Sequence, residues 1–228
     1  MNNCSDIITQ TIWSICMEEF KGTKKKIFDT ALLLFAMQGY KATTMRQIAK
    51  KVGIQQSAIY NHFKNKEAIL EAAIDRLSKS HLINIFEGKE PTELYKKGRL
   101  LLKNIANMFK LISYDTKSDL LFRFMMQELF NNEKLRYFYN EEFYQKNVKK
   151  LSAIFFLMMQ DEMIISTDPL LLANEFFSPL FFYQLQIIRL KADNKSTSAA
   201  ATLFEKHVEL FWDRIKINPK EQGNLFNI

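Results

Sequence analysis

Apolar residues recur at helical spacing along most of the chain. Between residues 24 and 38, Ile27, Ala31, Leu34 and Phe35 lie three or four positions apart, which places them on one face of a helix. Similar patterns predict further helices over residues 91–113, 116–131, 134–161, 168–192 and 197–217. No strand-like alternation is present, and six Gly and four Pro among 228 residues provide few turns. We therefore expect an all-α fold.

Residues 24–66 show the spacing of a helix-turn-helix motif. Gly39 is the expected left-handed C-cap of the first helix, and Thr43 or Thr44 is the expected N-cap of the second. Apolar residues then continue on both sides of Gly53, at Met45, Ile48, Ala49, Val52, Ile54, Ile59 and Phe63. A small residue, a turn glycine and a branched apolar residue at this spacing allow two short helices to cross closely.

Positive charge is concentrated in this same part of the chain. The whole sequence carries a formal charge of +7, whereas residues 21–66 alone carry ten Lys or Arg against Asp29, a net +9. A solvated lysine face is one interpretation of such a segment, and a surface that binds a polyanion is the other. Because the charge coincides with a helix-turn-helix pattern, we favour binding to DNA.

The sequence around the motif resembles the N-terminal signature of the tetracycline-repressor (TetR) family. It has a Thr that opens the second helix (Thr44), Ile-Ala before a glycine turn (Ile48–Gly53), a Tyr-x-His-Phe string (Tyr60–Phe63), and a Lys-Glu pair that opens a fourth helix (Lys66–Glu67). The resemblance covers about residues 24–75. It implies an N-terminal helix-turn-helix DNA-binding domain and a C-terminal helical domain for ligand binding and dimerisation.

Position in the motif and side-chain chemistry together suggest roles in DNA binding. The third helix carries the candidate base contacts, because Gln and Asn pair with adenine and Ala contacts the thymine methyl: Gln55, Gln56, Ser57, Ala58 and Asn61. The candidate phosphate contacts are Thr44, Tyr60, His62 and Lys66. Tyr60 and His62 have an alternative role, partial packing beneath the motif. The expected partner is double-stranded operator DNA.

Residues 120–185 are rich in Phe and Met, with eleven Phe and five Met. A plain helix-bundle core explains such residues, but Phe and Met also suit an adaptable cavity. The resemblance implies a ligand pocket between the middle helices, and the candidate wall consists of Phe122, Met126, Phe130, Phe155, Met159, Phe177 and Phe181. Few charges accompany these residues, so we expect a hydrophobic or aromatic effector.

The last two predicted helices carry more apolar positions than one core requires. The candidate interface residues are Leu172, Phe176, Leu180, Tyr183, Ile187, Leu203, His207, Leu210 and Phe211. A second apolar stripe needs a partner, and the resemblance implies a homodimer built from these helices. We therefore expect a dimeric repressor that a hydrophobic molecule releases from its operator. The alternative is a DNA-binding regulator with a solid C-terminal core that responds to a partner protein.

Three segments are expected: an N-terminal extension (1–20), the DNA-binding domain (21–66), and the effector-binding and dimerisation domain (67–228), entered through a helix from Lys66 to Phe86. The sequence shows no catalytic constellation, metal-ligand spacing or cofactor motif, so we expect neither an enzyme nor a cofactor. The longest apolar runs, seven residues, are too short to span a membrane. A cytoplasmic protein is expected.

Overall fold

The computed structural model describes residues 20–79, 85–86 and 88–217. The predicted N-terminal extension lies outside the described residues, except for Phe20. In chain order the helices are α1 (Gly22–Gln38), α2 (Met45–Val52), α3 (Gln56–Ile59), α4 (Lys66–Ser78), α5 (Pro91–Leu94), α6 (Arg99–Tyr114), α7 (Thr116–Glu128), α8 (Glu133–Tyr137), α9 (Lys146–Gln160), α10 (Pro169–Ala192) and α11 (Ser198–Ile215). A 3-10 turn (Tyr95–Lys97) follows α5, and a π-helical segment (Phe138–Gln145) joins α8 to α9.

The expected all-α fold is confirmed. Every regular element among the described residues is helical, apart from one isolated antiparallel bridge between Ile164 and Lys216. In the same part of the chain, no helix combines the length and the apolar character needed to cross a bilayer.

The chain forms two compact units. Unit 1 consists of Met1–Asn84 and Thr116–Phe143, and unit 2 consists of Ile85–Asp115 and Tyr144–Ile228. This division differs from the boundary at residue 66 that we expected, because α4, α7 and α8 group with the helix-turn-helix segment. The functional boundary between DNA-binding and effector domains remains a prediction.

Unit 1 is built around α1. The predicted inner face of α1 is confirmed, since Ile27, Ala31, Leu34 and Phe35 are buried. Helix α7 packs on α1, and the rings of Phe35 and Phe124 lie 5.8 Å apart. Phe20 also belongs to this core, because its ring lies 5.3 Å from that of Phe28 and 5.6 Å from that of Phe63. The packed core therefore begins before α1.

Unit 2 is built around α10, which packs against α6, α9 and α11. Its start is the one that the sequence indicates: the Asp168 carboxylate accepts hydrogen bonds from the backbone N–H groups of Leu170 and Leu171 at 2.8 and 3.0 Å. Most of the stripe assigned to a dimer interface lies in this core instead. Leu172, Phe176, Leu180 and Ile187 are buried within the chain, which corrects that expectation for them.

Two predicted helices end or break earlier than the periodicity suggests. The linking helix ends at Ser78, with Lys79 as its C-cap, and Ile85 and Phe86 lie in a turn, so the prediction of a helix reaching Phe86 is wrong. The helix predicted over 91–113 breaks at Gly98, where φ is 50° and ψ is −128°. A Cβ at Gly98 would lie 3.2 Å from the indole of Trp212, so both the backbone and the packing require glycine there.

Candidate nucleic-acid interface

The turn between α1 and α2 is held by buried hydrogen bonds. The Thr43 side chain is fully buried, and its Oγ1 donates to the carbonyl of Gly39 at 2.9 Å. The backbone N–H of Tyr40 donates to Glu128 Oε1 at 2.6 Å, and Glu128 is itself buried at the end of α7. A carboxylate on α7 thus fixes the turn that precedes α2.

Lys66 fixes the same turn from α4. Its Nζ donates to the carbonyl oxygens of Tyr40 and Thr43, both at 2.7 Å, and lies 4.2 Å from the centre of the Tyr40 ring. Burial lowers the pKa of Lys66, against the opposing effect of nearby Glu128 and Glu67. The structure therefore adds a second role for Lys66, and its assignment as a phosphate contact stays a prediction. Its ammonium group is half-buried and engaged by the protein's own backbone.

The Tyr40 hydroxyl extends this network. It donates to Glu67 Oε2 at 2.9 Å, and Lys134 Nζ donates to Glu67 Oε1 at 2.8 Å. Burial, followed by the bond to Glu67, raises the pKa of Tyr40 to about 12. The hydrogen bonds from Lys134 and Tyr40 lower the pKa of Glu67. We refer to Tyr40, Lys66, Glu67, Glu128 and Lys134 as the turn clamp.

Helix α2 begins and ends with local signals that the sequence carries. Thr44 is the N-cap: its hydroxyl accepts from the backbone N–H of Gln47 at 3.2 Å, and Gln47 Oε1 accepts from the backbone N–H of Thr44 at 2.8 Å, which completes a capping box. Gly53 ends the helix in the left-handed conformation, with φ 83° and ψ 32°. The expected N-cap and the glycine turn of the motif are both confirmed.

Helix α3 has a polar, exposed face and an apolar, buried face. Ile59 is fully buried and Phe63, in the turn that follows, is 5% exposed, so these two side chains fix the helix to the core of unit 1. Ala58 and His62 are half-buried, and the exposed residues are Gln55, Gln56, Ser57, Tyr60 and Asn61. The structure therefore brings the predicted base contacts together on one short helix and its following turn. The partial burial of His62 is compatible with packing and with a phosphate contact, while 48% of Tyr60 is exposed.

Exposed cations lie on both sides of α3 along the sequence. Five of them form no ion pair with an acid among the described residues: Lys41, Arg46, Lys50, Lys51 and Lys64. Lys25, by contrast, pairs with Asp29 at 2.6 Å. Unpaired surface cations next to exposed amide side chains are what contact with a phosphate backbone and base edges requires.

The predicted ligand-wall residues divide between the two units. Phe122, Met126 and Phe130 lie in unit 1, and Phe155, Met159, Phe177 and Phe181 lie in unit 2. Phe130 is 80% exposed, so it lines no enclosed cavity within the chain, and that assignment needs correction. Met126, Met159 and Phe181 are half-buried.

The other three predicted wall residues are buried. Phe122 is 1% exposed, the ring of Phe155 lies 5.9 Å from that of Phe211, and the ring of Phe177 lies 6.2 Å from that of Phe109. Phe155 and Phe177 thus take part in the ring packing of unit 2. The sequence predicted that these side chains line a ligand pocket, and for these three residues that assignment stays a prediction.

Residues 27–73 match the sequence profile of the bacterial regulatory proteins of the tetR family. This segment is a TetR-family N-terminal domain. Over 80 residues it is 42% identical to YerO of Bacillus subtilis, an uncharacterized HTH-type transcriptional regulator, covering 32% of this chain and 28% of YerO. Over 51 residues it is 43% identical to IcaR of Staphylococcus aureus, covering 22% of this chain and 27% of IcaR. IcaR is the negative transcriptional regulator of the icaADBC biofilm operon.

These matches span only about a quarter of the length of the two relatives, and YerO and IcaR are transcriptional regulators rather than enzymes. A likeness over most of the chain comes from solved structures. The SmeT–triclosan complex superposes with a TM-score of 0.62 at 16% identity, covering 87% of this chain and 94% of SmeT. At that identity the likeness concerns the fold alone.

Proposed function

We propose that this TetR-family regulator binds double-stranded operator DNA as a homodimer and represses transcription. The observation that carries the proposal is the polar face of α3. Buried Ile59 and Phe63 anchor this helix, and exposed cations without an acidic partner among the described residues lie before and after it in the sequence. Amide side chains on a firmly anchored short helix suit base readout in a major groove. The negative regulation attributed to IcaR supports repression rather than activation.

The second copy is proposed to bind along α10 and α11. Although most of the predicted stripe is internal, exposed apolar side chains remain: Leu171 and Phe182 on α10 are 53% and 63% exposed, and Leu210 on α11 is 54% exposed. Leu171 and Phe182 lie about three helical turns apart, so they share one face of α10. A two-fold dimer through these side chains would present two α3 helices to major grooves about 34–36 Å apart.

Release by a hydrophobic or aromatic effector is the second part of the proposal. Phe122 and Met126 lie on α7, the helix that ends in Glu128, and Glu128 holds the turn before α2. A change in α7 on effector binding would therefore reach the turn clamp through this helix. A coupling free energy of about 1–3 kcal/mol between effector and DNA gives roughly 5–150-fold release. The SmeT structure, solved with triclosan, supports a small-molecule effector in this fold.

A regulator without a small-molecule effector is the second candidate. The observation that favours it is the ring packing of unit 2, where Phe155 contacts Phe211, and Phe177 contacts both Phe86 and Phe109. In that case the C-terminal helices are a solid core, and a partner protein provides the signal.

The DNA proposal is tested by matched glutamine variants. Genomic fragments that the full-length protein captures are sequenced, and the operator so identified is used for fluorescence anisotropy at fixed salt. Gln56→Ala should lower the preference for particular base pairs by roughly 1–3 kcal/mol. Gln127→Ala, an exposed glutamine on α7, is the control and should bind as wild type does.

Three results would contradict the proposal: capture of no discrete genomic sites, unchanged base preference in Gln56→Ala, or an equal loss in Gln127→Ala. The two candidates are separated by a further measurement. Compounds that bind the protein are tested for release of operator DNA, and the second candidate expects operator affinity to remain unchanged.

A further inference from the structure

One buried polar side chain in unit 2 stands apart from its surroundings. Gln184 on α10 is fully buried, and neither its Nε2 nor its Oε1 has a hydrogen-bond partner. Other buried polar residues, such as Thr43, Ser113 and Glu128, bond to the backbone of their own unit. Among the described residues, the unpaired buried side-chain polar atoms are the two of Gln184.

Gln184 lies on the face of α10 that meets α6. Residues 177, 181, 184, 188 and 191 recur three and four apart, so they share one face of the helix. At one end of this row Phe177 packs on Phe109 of α6, and at the other the Nζ of Lys191 donates to the carbonyl of Ser113 at 3.0 Å. Gln184 therefore lies midway along this face, between the aromatic contact of Phe177 at one end and the hydrogen bond of Lys191 at the other.

An unpaired carboxamide in such a place is costly. Its Nε2 and Oε1 lose their hydrogen bonds to water on folding and gain no hydrogen bonds in the protein. A leucine of similar size would avoid that cost. Buried polar groups left unpaired by the fold recur where a ligand completes the bonding. A carboxamide offers one N–H donor and one carbonyl acceptor side by side in a plane, so it is matched by a ligand edge that offers an acceptor next to a donor.

We propose that Gln184 is the polar anchor of the effector site, and that the effector is an aromatic molecule carrying a neutral amide or lactam edge. This inference rests on the proposed effector function and narrows its chemistry. The ring of such a ligand suits contact with Phe177 and Phe181, while its C=O and N–H pair with Nε2 and Oε1 of Gln184. A carboxylate is disfavoured, because it has no donor for Oε1 and its charge would be buried beside a neutral carboxamide.

The test uses carbostyril, the lactam of quinoline, and its N-methyl derivative, which keeps the carbonyl but lacks the donor. Binding to the full-length protein is measured by isothermal titration calorimetry. Gln184→Leu should bind carbostyril about 10-fold more weakly than wild type does. Gln186→Leu makes the same change on the opposite side of α10, and it should bind within about 2-fold of wild type. N-methylcarbostyril should distinguish wild type from Gln184→Leu less than carbostyril does, because it keeps the carbonyl acceptor but cannot form the second bond.

A second measurement needs no ligand. Because Gln184 is unpaired in the fold, Gln184→Leu should raise the thermal midpoint, and Gln186→Leu should not. A fall in the midpoint of Gln184→Leu, no binding of carbostyril to wild type, or equal binding of carbostyril by wild type and Gln184→Leu would each overturn the inference. Operator binding by wild-type protein without carbostyril is measured in parallel. Its loss would refute the proposed function, whereas intact operator binding with Gln184-independent lactam binding would refute this inference alone.

Discussion

Lys66 is a motif residue whose structural role changes what its substitution should do. Replacing it by methionine removes both hydrogen bonds to the turn carbonyls of Tyr40 and Thr43. We expect Lys66→Met to lower the free energy of unfolding by about 1–3 kcal/mol, the cost of leaving such groups unpaired. Urea denaturation followed by circular dichroism measures this change.

Lys64 provides the matched control for Lys66. It is exposed and pairs with no acid in the described part of the chain, so Lys64→Met should leave stability within about 0.5 kcal/mol of wild type. It should instead reduce the dependence of operator affinity on salt by about one ion, as the loss of a phosphate contact does. Equal stability of the two variants would show that Lys66 is not part of a clamp.

His207 gives the fold a dependence on pH. It lies in unit 2, where its ring stacks on that of Phe176 at 5.4 Å and its Nε2 lies 3.0 Å from the Phe176 carbonyl. Burial lowers the pKa of His207 below its ordinary value of 6.5, although the backbone bond acts in the opposite direction. His207 therefore binds a proton less readily in the folded protein than in the unfolded chain. The free energy of unfolding should fall as the pH drops below that ordinary value.

The prediction is checked by urea denaturation at a series of pH values from about 7 to 5, the range in which histidine titrates. The stability of wild type should fall more steeply than that of His207→Gln, which keeps a donor for the Phe176 carbonyl but cannot titrate. His62→Gln leaves His207 in place and serves as the control in unit 1. Parallel curves for wild type and His207→Gln would contradict the prediction.

At the scale of elements, the helices were largely predictable because helix formation is governed by nearby residues. The periodicity locates α1, α7, α10 and α11 closely, and Asp168-Pro169 marks the start of α10. What periodicity misses depends on contacts made elsewhere in the chain. The limited space beside Gly98 depends on Trp212, and the turn clamp depends on Glu128, which is 88 positions from Tyr40.

The candidate site was predictable to the same extent. The residues of α3 follow from the motif, and their exposure agrees with their expected role. The second role of Lys66 was not visible, because it requires knowing which carbonyls lie within reach of its Nζ. The ligand wall was the weakest prediction, since Phe and Met frequencies do not distinguish Phe130, which is 80% exposed, from Phe155, which is fully buried.

Two turn glycines of the motif should differ in their tolerance of alanine. Gly53 has φ 83° and ψ 32°, and a Cβ at this position would meet no atom within 4 Å, so Gly53→Ala should cost about 1–2 kcal/mol of stability. Gly39 has φ 86° and ψ 158°, a conformation that essentially only glycine adopts. A Cβ there would also lie 3.3 Å from Glu128 Oε1, so Gly39→Ala should cost more than Gly53→Ala does.

Thermal and chemical denaturation of the two alanine variants provide the comparison. Repeating it in a Glu128→Ala background isolates the contact with the carboxylate, because part of the extra cost at Gly39 should then disappear. If Gly39→Ala proves no more destabilising than Gly53→Ala, the backbone conformation assigned to this turn is wrong.

At the scale of the whole molecule, assembly is proposed to depend on the exposed apolar side chains of α10 and α11. Leu210→Glu should give monomers that bind operator DNA weakly, because it places a charge on the surface proposed to face the second copy. Phe211 is unsuitable for this test, since it is 7% exposed and its ring packs against Phe155 and Phe176. Light scattering at micromolar concentration measures the mass of the variant.

Leu111→Glu is the control for assembly. Leu111 is 62% exposed on α6, comparable to the 54% of Leu210, so the same substitution is made in the same unit on another helix. It should remain dimeric. A monomeric wild type, or a dimeric Leu210→Glu variant with full operator affinity, would exclude an interface through α11.

Each of the two units is formed by two separate stretches of the chain, and this limits how segments can be exchanged with other regulators. Residues up to 79 belong to unit 1, residues 88–115 belong to unit 2, and residues 116–143 belong to unit 1 again. A hybrid made by joining residues 1–84 to another regulator's remainder would lose Glu128 and Lys134, and with them two of the five clamp residues. Exchange of DNA specificity, in evolution or in the laboratory, is therefore more readily achieved by changing side chains on α3 than by a single crossover.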